Sequence, residues 1–232
     1  MTKNYNILFK YASRSRPAKF FIGLDNILAN LNNKENYCIL ISLDSDDITM
    51  YNKPILERLK QYLVSYGDKI IIQFGKSKSK IDAINRDVNE VKERFNFDIL
   101  VNFSDDMAFT QVGFDDIIRN KFSIHFADTN GNLHFNDGYA RDKISTMSII
   151  GRMYYDAFNY IYHPSYISLW CDNEYTLVAQ KSNKIQYFDE QIFVHNHPSN
   201  IGGIVDEQLV KTESFSVTDY DNFINRQKNK FT

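Results

Sequence analysis

The sequence predicts an α/β fold in which a mostly parallel central sheet is flanked by helices and continues into a mixed C-terminal half. Three observations carry this expectation. From residue 5 to 103, short apolar runs alternate with amphipathic stretches of helix length, the pattern of strands joined by helical crossovers. The connections are short, so the crossovers are right-handed and the strands parallel. Each of the first four strands also runs into a charged loop, and in such sheets ligands sit at the carboxyl ends of the strands.

The elements follow in order. "YNILFK" (5–10) reads as a strand, and "PAKFFIGLDNILANL" (17–31) as a helix with proline in its first turn. "YCILISL" (37–43) is the second strand and "PILERLKQYLVSY" (54–66) the second helix. "KIIIQF" (69–74) is the third strand, followed by a helix over 80–95, where Ile81, Ile84, Val88, Val91 and Phe95 recur at helical spacing. "FDILVNF" (97–103) is the fourth strand.

Beyond residue 103 the rhythm changes. "FSIHFADTNGNLHFNDG" (122–138) reads as two short strands around Asn130-Gly131, a hairpin turn pair. "STMSIIG" (145–151) is apolar, and "RMYYDAFNYIYHP" (152–164) is an aromatic helix ending before Pro164. "CDNEYTLVAQK" (171–181) is a further helix, with "KIQYF" (184–188) and "QIFVHNH" (191–197) as closing strands. From Gly202 the chain is polar, and residues 216–231 predict a terminal helix capped by Thr218. We expect one domain over 1–201 and a helical C-terminal extension over 202–232.

Bulk properties narrow the function classes. A net charge of −2 supplies no general field for a phosphate backbone, so no nucleic-acid partner is expected. Hydrophobic residues at 43% and charged residues at 24% are ordinary for a soluble globular chain. Cys38 and Cys171 lie far apart in apolar surroundings, with neither zinc-ligand spacing nor a disulfide framework. No signal-peptide core opens the chain and no run approaches a membrane span. A cytoplasmic protein is the expectation.

The polar clusters carry the chemistry. Adjacent Asp105 and Asp106 follow strand four in "FSDDM", where their mutual repulsion calls for a cation. Such acids suit a hard divalent cation, with phosphate oxygens completing its shell. After strand two, "LDSDD" (43–47) offers Asp44 as an acceptor for a base or ribose hydroxyl, while Asp46 or Asp47 caps the next helix. After strand one, "KYASRSRP" (10–17) sets Tyr11, Ser13, Arg14 and Arg16 before a helix N-terminus, a seat for a nucleotide phosphate. "GKSKSKIDAINRD" (75–87) places Lys78 and Lys80 at a helix start, with Asn85 and Arg86 beyond. Neither a dinucleotide fingerprint nor a P-loop occurs. "FVHNHPS" (193–199) carries His195 and His197 on one strand face, either able to join a metal held by Asp106. Asp172 and Glu174, close to Trp170, are candidate general bases. His125, His134 and His163 are read as structural.

Taken together, "SRSRP", "SLDSDD", "KSKSKIDAIN", the D-x-D-like "SDD", "CDNE" and the late "HNH" resemble the GT-A (Rossmann-like) nucleotide-sugar glycosyltransferases, similar to glycosyltransferase family 2, across about residues 5–199. The resemblance implies a nucleotide-binding half to residue 103 and a metal and acceptor half over 104–201. It implies that Arg14 and Asp44 hold uracil and ribose, with Lys78 and Lys80 near the nucleotide. Asp106 would bind Mn²⁺ or Mg²⁺ on the diphosphate, with Asp105 toward the ribose or sugar and His197, ahead of His195, completing the shell. Asp172 would be the base, with Glu174 its competitor. The sequence departs from the pattern at Ser104, where an acid is usual, and at "CDNEY", which lacks the usual Glu-Asp pair. The implied activity is inverting transfer of a sugar from a nucleoside-diphosphate sugar, UDP-linked by expectation, to an acceptor hydroxyl. The alternatives are a sugar nucleotidyltransferase and a non-catalytic nucleotide- or sugar-binding module.

Overall fold

The computed structural model describes residues 3–203 and 205–231. The chain runs β1 (Ile7–Ser13), α1 (Pro17–Asn30), β2 (Tyr37–Asp44), α2 (Lys53–Tyr66), β3 (Ile70–Gly75), α3 (Lys80–Asn85), α4 (Val88–Val91) and β4 (Ile99–Phe103). It continues through β5 (Met107–Phe109), α5 (Phe114–His125), β6 (Asn132–Phe135), β7 (Ser148–Gly151), α6 (Arg152–Phe158) and α7 (Cys171–Lys181). It closes with β8 (Ile185–Phe188), β9 (Phe193–His195), α8 (Pro198–Ile201), α9 (Glu207–Glu213) and α10 (Ser216–Lys228).

Seven strands form the main sheet in the order β3-β2-β1-β4-β7-β6-β8. The first four are parallel, β7 is antiparallel to both neighbours, and β8 is parallel to β6. Only β7 therefore opposes the rest, and the tip of β6 points to the same edge as the tips of β1, β2 and β4. Alternation within the strands sends side chains to two cores. Ile7, Phe9, Ile39, Ile41 and Val101 face α1, α2 and α5, whereas Leu8, Leu40, Leu100 and Ile150 face α3, α4, α6 and α7. With β2 buried along its whole length, a one-residue slip would exchange the two faces, which fixes the register.

Several sequence expectations change. The helix expected over 80–95 breaks at Asp87, whose φ is +71°. Tertiary bonds override its periodicity: Asp87 accepts the Ser42 hydroxyl, and Arg86 donates to the Leu43 carbonyl at 2.6 Å. Phe122–His125 is not a hairpin strand but the end of α5, whose Phe114, Ile118 and Phe122 are buried at helical spacing. The residues after Asn130-Gly131 form β6 alone, paired with β7 and β8. The aromatic helix stops at Phe158, where Asn159 turns left-handed at φ +59°. "QIFVHNH" does not close the main sheet; β9 pairs with β5 in a separate two-stranded ribbon. Thr218 is not a cap, because α10 already begins at Ser216. Asp46 and Asp47 do not cap α2 either; Asn52 does, accepting the Ile55 N–H.

The C-terminal helices pack onto the domain. Buried Asp219 accepts the backbone N–H groups of Ile167, Ser168 and Leu169 at 2.7–2.9 Å. Arg226 makes a two-pronged ion pair with Glu174, both bonds 2.7 Å. No helix of the described residues is long and apolar enough to cross a membrane.

Candidate active site

A cavity of about 760 Å³ opens at the carboxyl edge of the sheet. Its walls take Ser13 from β1, Asp44 from β2, the loop before α3, the Ser104–Asp106 turn after β4, the start of α7, the end of β9 and the inner side of α9. One corner is built of closed ion pairs. Arg14 donates to Asp44 at 2.9 Å and to both oxygens of Asp46 at 2.8 and 3.2 Å. The other oxygen of Asp44 accepts the Ser77 hydroxyl at 2.6 Å, leaving lone pairs for a ligand. Arg86 is 3.7 Å from the same carboxylate. Gly75 makes room for it, since a Cβ there would lie 1.7 Å from the Arg86 guanidinium.

The adjacent acids after β4 diverge. Asp105 turns toward Ser13 (3.3 Å) and Arg16 (3.2 Å). Burial, with the charge of Asp106 beside it, raises its pKa against the pull of Arg16. Arg16 also reaches into the C-terminal segment, donating twice to Asp206 at 2.7 and 2.8 Å. Asp106 turns the other way: Ser104 donates to one oxygen, and the other lies 3.5 Å from His195 Nε2. Burial works to raise the Asp106 pKa, but His195 and Ser104 outweigh it and hold the carboxyl below its usual range. Burial likewise depresses His195, yet its two carboxylate neighbours lift it to about 9. The second neighbour is Asp137, 3.8 Å from His195 Nδ1.

Asp172 lines the cavity at the start of α7, half-buried, its pKa raised by desolvation. Lys80, exposed at the cavity wall, lends positive charge to Asp106, Asp172 and His197. The lysines at the start of α3 are tolerated there because Ser79 caps the helix and Asp82, in its first turn, accepts the Lys78 N–H. His197 lies beyond β9, which ends at His195, and not on the strand. Its Nδ1 accepts the Ser199 N–H as the cap of α8, and its ring centre lies 5.7 Å from that of His195.

Of the residues singled out in the sequence, the fold brings Ser13, Arg14, Asp44, Lys78, Lys80, Ser104, Asp105, Asp106, Asp172, His195 and His197 to this one cavity. Three fall elsewhere. Tyr11 is core, stacked on Phe20 and Phe103 with its hydroxyl donating to the Phe20 carbonyl. Asn85 ties down the aromatic segment, accepting the N–H groups of Ile161 and Tyr162 and donating to the Tyr162 carbonyl. Glu174 points away, fully engaged by Arg226 and the Tyr166 hydroxyl. Trp170 packs on Tyr220 and Phe223 of α10. The sequence reading overlooked Asp137, although it ends the run of β6 as Asp106 follows β4. It also overlooked the cavity-lining Gln208, Thr212 and Glu213 of α9, for which no local signal exists.

Whether these side chains suit a divalent ion rests on donor chemistry. An Asp106 oxygen and an imidazole nitrogen face each other, a mixed set that suits Mn²⁺ better than the oxygen-preferring Mg²⁺. Among the described residues no three His, Cys, Asp or Glu side chains form a ready-made cage. A site of one or two protein ligands that relies on substrate phosphates needs none. The donor set fits.

No family model matches the sequence, and no curated protein matches it. Solved structures do match in three dimensions. The mannosyltransferase PcManGT from Pyrobaculum calidifontis, in complex with GDP-Man and Mn²⁺, aligns with TM-score 0.61 at 10% identity, covering 92% of this chain and 70% of its own. S. aureus TarS 1-349 aligns with TM-score 0.60 at 10% identity, over 84% of this chain and 62% of that one. The same TarS fragment in complex with UDP-GlcNAc gives 0.59 at 11% identity, over 89% and 64%. The chain has the GT-A-type glycosyltransferase fold. In these two TarS alignments it spans less than two thirds of the TarS fragment, and it spans somewhat more of the mannosyltransferase.

Proposed function

We propose that this protein is a glycosyltransferase that moves a sugar from a nucleoside-diphosphate sugar to an acceptor hydroxyl, with inversion and with a divalent ion. The observation that carries the proposal is convergence. Within a GT-A-type fold, one cavity holds an acid facing a histidine, a desolvated carboxylate and a cation-bearing loop. The two structural neighbours bound to GDP-Man and UDP-GlcNAc support a nucleotide-sugar donor. Uracil is the base we assign, since the Asp44 carboxylate, fixed by Arg14 and Ser77, can accept its imide N–H.

Asp44 and Arg14 orient the nucleoside, while Lys78 and Lys80 draw the diphosphate into the cavity. Asp106 with His195 or His197 would hold Mn²⁺ or Mg²⁺, which supplies charge neutralisation for the departing diphosphate. Asp172 accepts the acceptor proton as the hydroxyl attacks the anomeric carbon; its raised pKa gives a stronger base than an ordinary aspartate. Asp105, held by Arg16 and Ser13, shapes the floor toward the ribose or sugar.

The deciding experiment is a thermal-shift screen of UDP, GDP and their sugars with and without Mn²⁺, followed by product NMR with the best donor. The expected result is stabilisation by a nucleoside diphosphate that needs the metal, and a product of inverted anomeric configuration. No ligand-dependent shift and no donor turnover would refute the assignment.

A further inference from the structure

Asp137 stands out as a buried carboxylate whose direction is fixed from all sides. It ends the segment after β6 in "FNDG", where Gly138 takes φ +90°, a conformation that favours glycine. Its Oδ1 accepts three consecutive N–H groups, from Tyr139 (2.9 Å), Ala140 (2.7 Å) and Arg141 (3.1 Å). Its Oδ2 accepts the Thr146 hydroxyl at 3.0 Å. The carboxylate cannot rotate without abandoning these bonds. The backbone adds a further tie, since the His195 N–H donates to the Asp137 carbonyl at 3.1 Å. The remaining face of Oδ2 looks onto His195 Nδ1 at 3.8 Å, while Nε2 of the same ring looks onto Asp106 at 3.5 Å.

We propose that Asp137 is a positioning residue that keeps a proton on His195 Nδ1 and so presents the Nε2 lone pair, beside Asp106, to a divalent cation. The proposal rests on the metal-dependent reading above and deepens it. It makes His195 the histidine ligand, in place of His197, whose Nδ1 is committed to capping α8. The chemistry is that of an outer carboxylate setting the tautomer of a metal-binding imidazole. A carboxylate only accepts, so at 3.8 Å Asp137 favours the proton on the ring nitrogen that faces it, and the opposite nitrogen is left to coordinate.

Asp137→Asn tests this at constant shape. The three backbone N–H groups require an oxygen at their end of the side chain, which places the amide NH₂ against Thr146 and His195. A donor there forces the ring proton onto Nε2 and removes the lone pair from the metal position. Mn²⁺ affinity, measured by electron paramagnetic resonance in the presence of UDP, should fall about 10–100-fold in Asp137→Asn. In the His195→Ala background the same substitution should cost nothing further, because the two act through one nitrogen. Circular dichroism and the thermal midpoint of each variant confirm folding. An equal loss in both backgrounds would mean that Asp137 only shapes its loop, overturning the inference while the metal reading stands. If the unmodified protein binds no Mn²⁺ with UDP, the metal reading fails and this inference with it.

Discussion

Two corners of the cavity contrast in how their charges are spent. Around Asp44, guanidinium and hydroxyl partners engage the carboxylates: Arg14 with Asp44 and Asp46, Ser77 with Asp44, and Arg86 behind them. Around Asp106 the groups are held less completely. Lys80 is in no ion pair among the described residues, Asp172 accepts only the N–H of its neighbour Asn173, and Asp106 faces an imidazole across 3.5 Å. A largely paired corner is pre-organised and suits recognition, where shape must persist. An incompletely paired corner retains electrostatic free energy that a cation, a diphosphate or a proton can release.

The largest expected effect breaks the second corner. Asp106→Asn should lower turnover by about 10³-fold, the upper end for losing one electrostatic stabiliser of the leaving group. It should also abolish the Mn²⁺-dependent thermal shift while far-UV circular dichroism is unchanged. Retained metal-dependent turnover would show that the catalytic corner lies elsewhere.

Next, Asp172 and Glu174 can be separated, although two residues apart on one helix. Asp172→Asn should reduce kcat about 10²–10⁴-fold with donor affinity nearly constant. Because the Asp172 pKa is raised by burial, unmodified activity should fall as pH drops through that raised value, and the variant should lack that acidic limb. Glu174→Gln should do the opposite. It leaves Arg226 short of its ion-pair partner in a largely buried setting, at a cost of about 3 kcal/mol measured by urea unfolding, with kcat retained. If the two variants exchange phenotypes, so do the roles.

A milder substitution loosens the link between the corners. Asp206 joins α9 to Arg16, caps that helix through the Leu209 N–H, and has its pKa held at about 2, chiefly by Arg16. Asp206→Ala should cost about 1 kcal/mol, the usual worth of an N-cap with a half-exposed ion pair. Since the folded pKa lies below the ordinary carboxylate value, the stabilisation is complete above pH ~4 and fades as pH falls toward 2. A difference between variant and unmodified protein that does not shrink in acid would show that the ion pair contributes nothing.

How much of this was legible follows from which interactions are local. The first four strands were readable because each is a short apolar run ended by polar residues, and the parallel edge then collected Ser13, Arg14, Asp44 and Asp106 by topology alone. Asp172 and Glu174 were indistinguishable because their partners, the cavity and Arg226, lie in the tertiary fold. Tyr11 shares a strand face with Ser13 but lies two residues further from the tip, where Phe20 and Phe103 stack on its ring. The end of α5 was hidden since it lies just before the Asn130-Gly131 turn signal, and that signal was read as governing both sides. Asp137 could have been found by asking which other strand tip shares the edge, but that needs the direction of β6, set only by pairing with β7 and β8.

The last expected effect, a pH slope rather than a loss of turnover, lies beneath the paired corner. Lys10 is fully buried in β1, donating to the Ser42 hydroxyl and, at 3.0 Å, to the carbonyl of Arg86, the residue standing behind Asp44. Burial depresses its pKa to about 7, against the opposing charge of Asp87. A base with a lowered folded pKa makes folding least favourable when fully protonated. Between pH 7 and the ordinary lysine value near 10.4 the unfolded chain binds more protons than the folded one, so stability rises with pH. In Lys10→Met this titration is gone. The urea midpoint of the unmodified protein should therefore climb relative to the variant between pH 7 and 9, a comparison in which the remaining lysines and tyrosines largely cancel. Parallel profiles would mean that Lys10 keeps its charge on folding, and that the scaffold under Asp44 is an ion pair with Asp87 rather than a neutral hydrogen-bond chain.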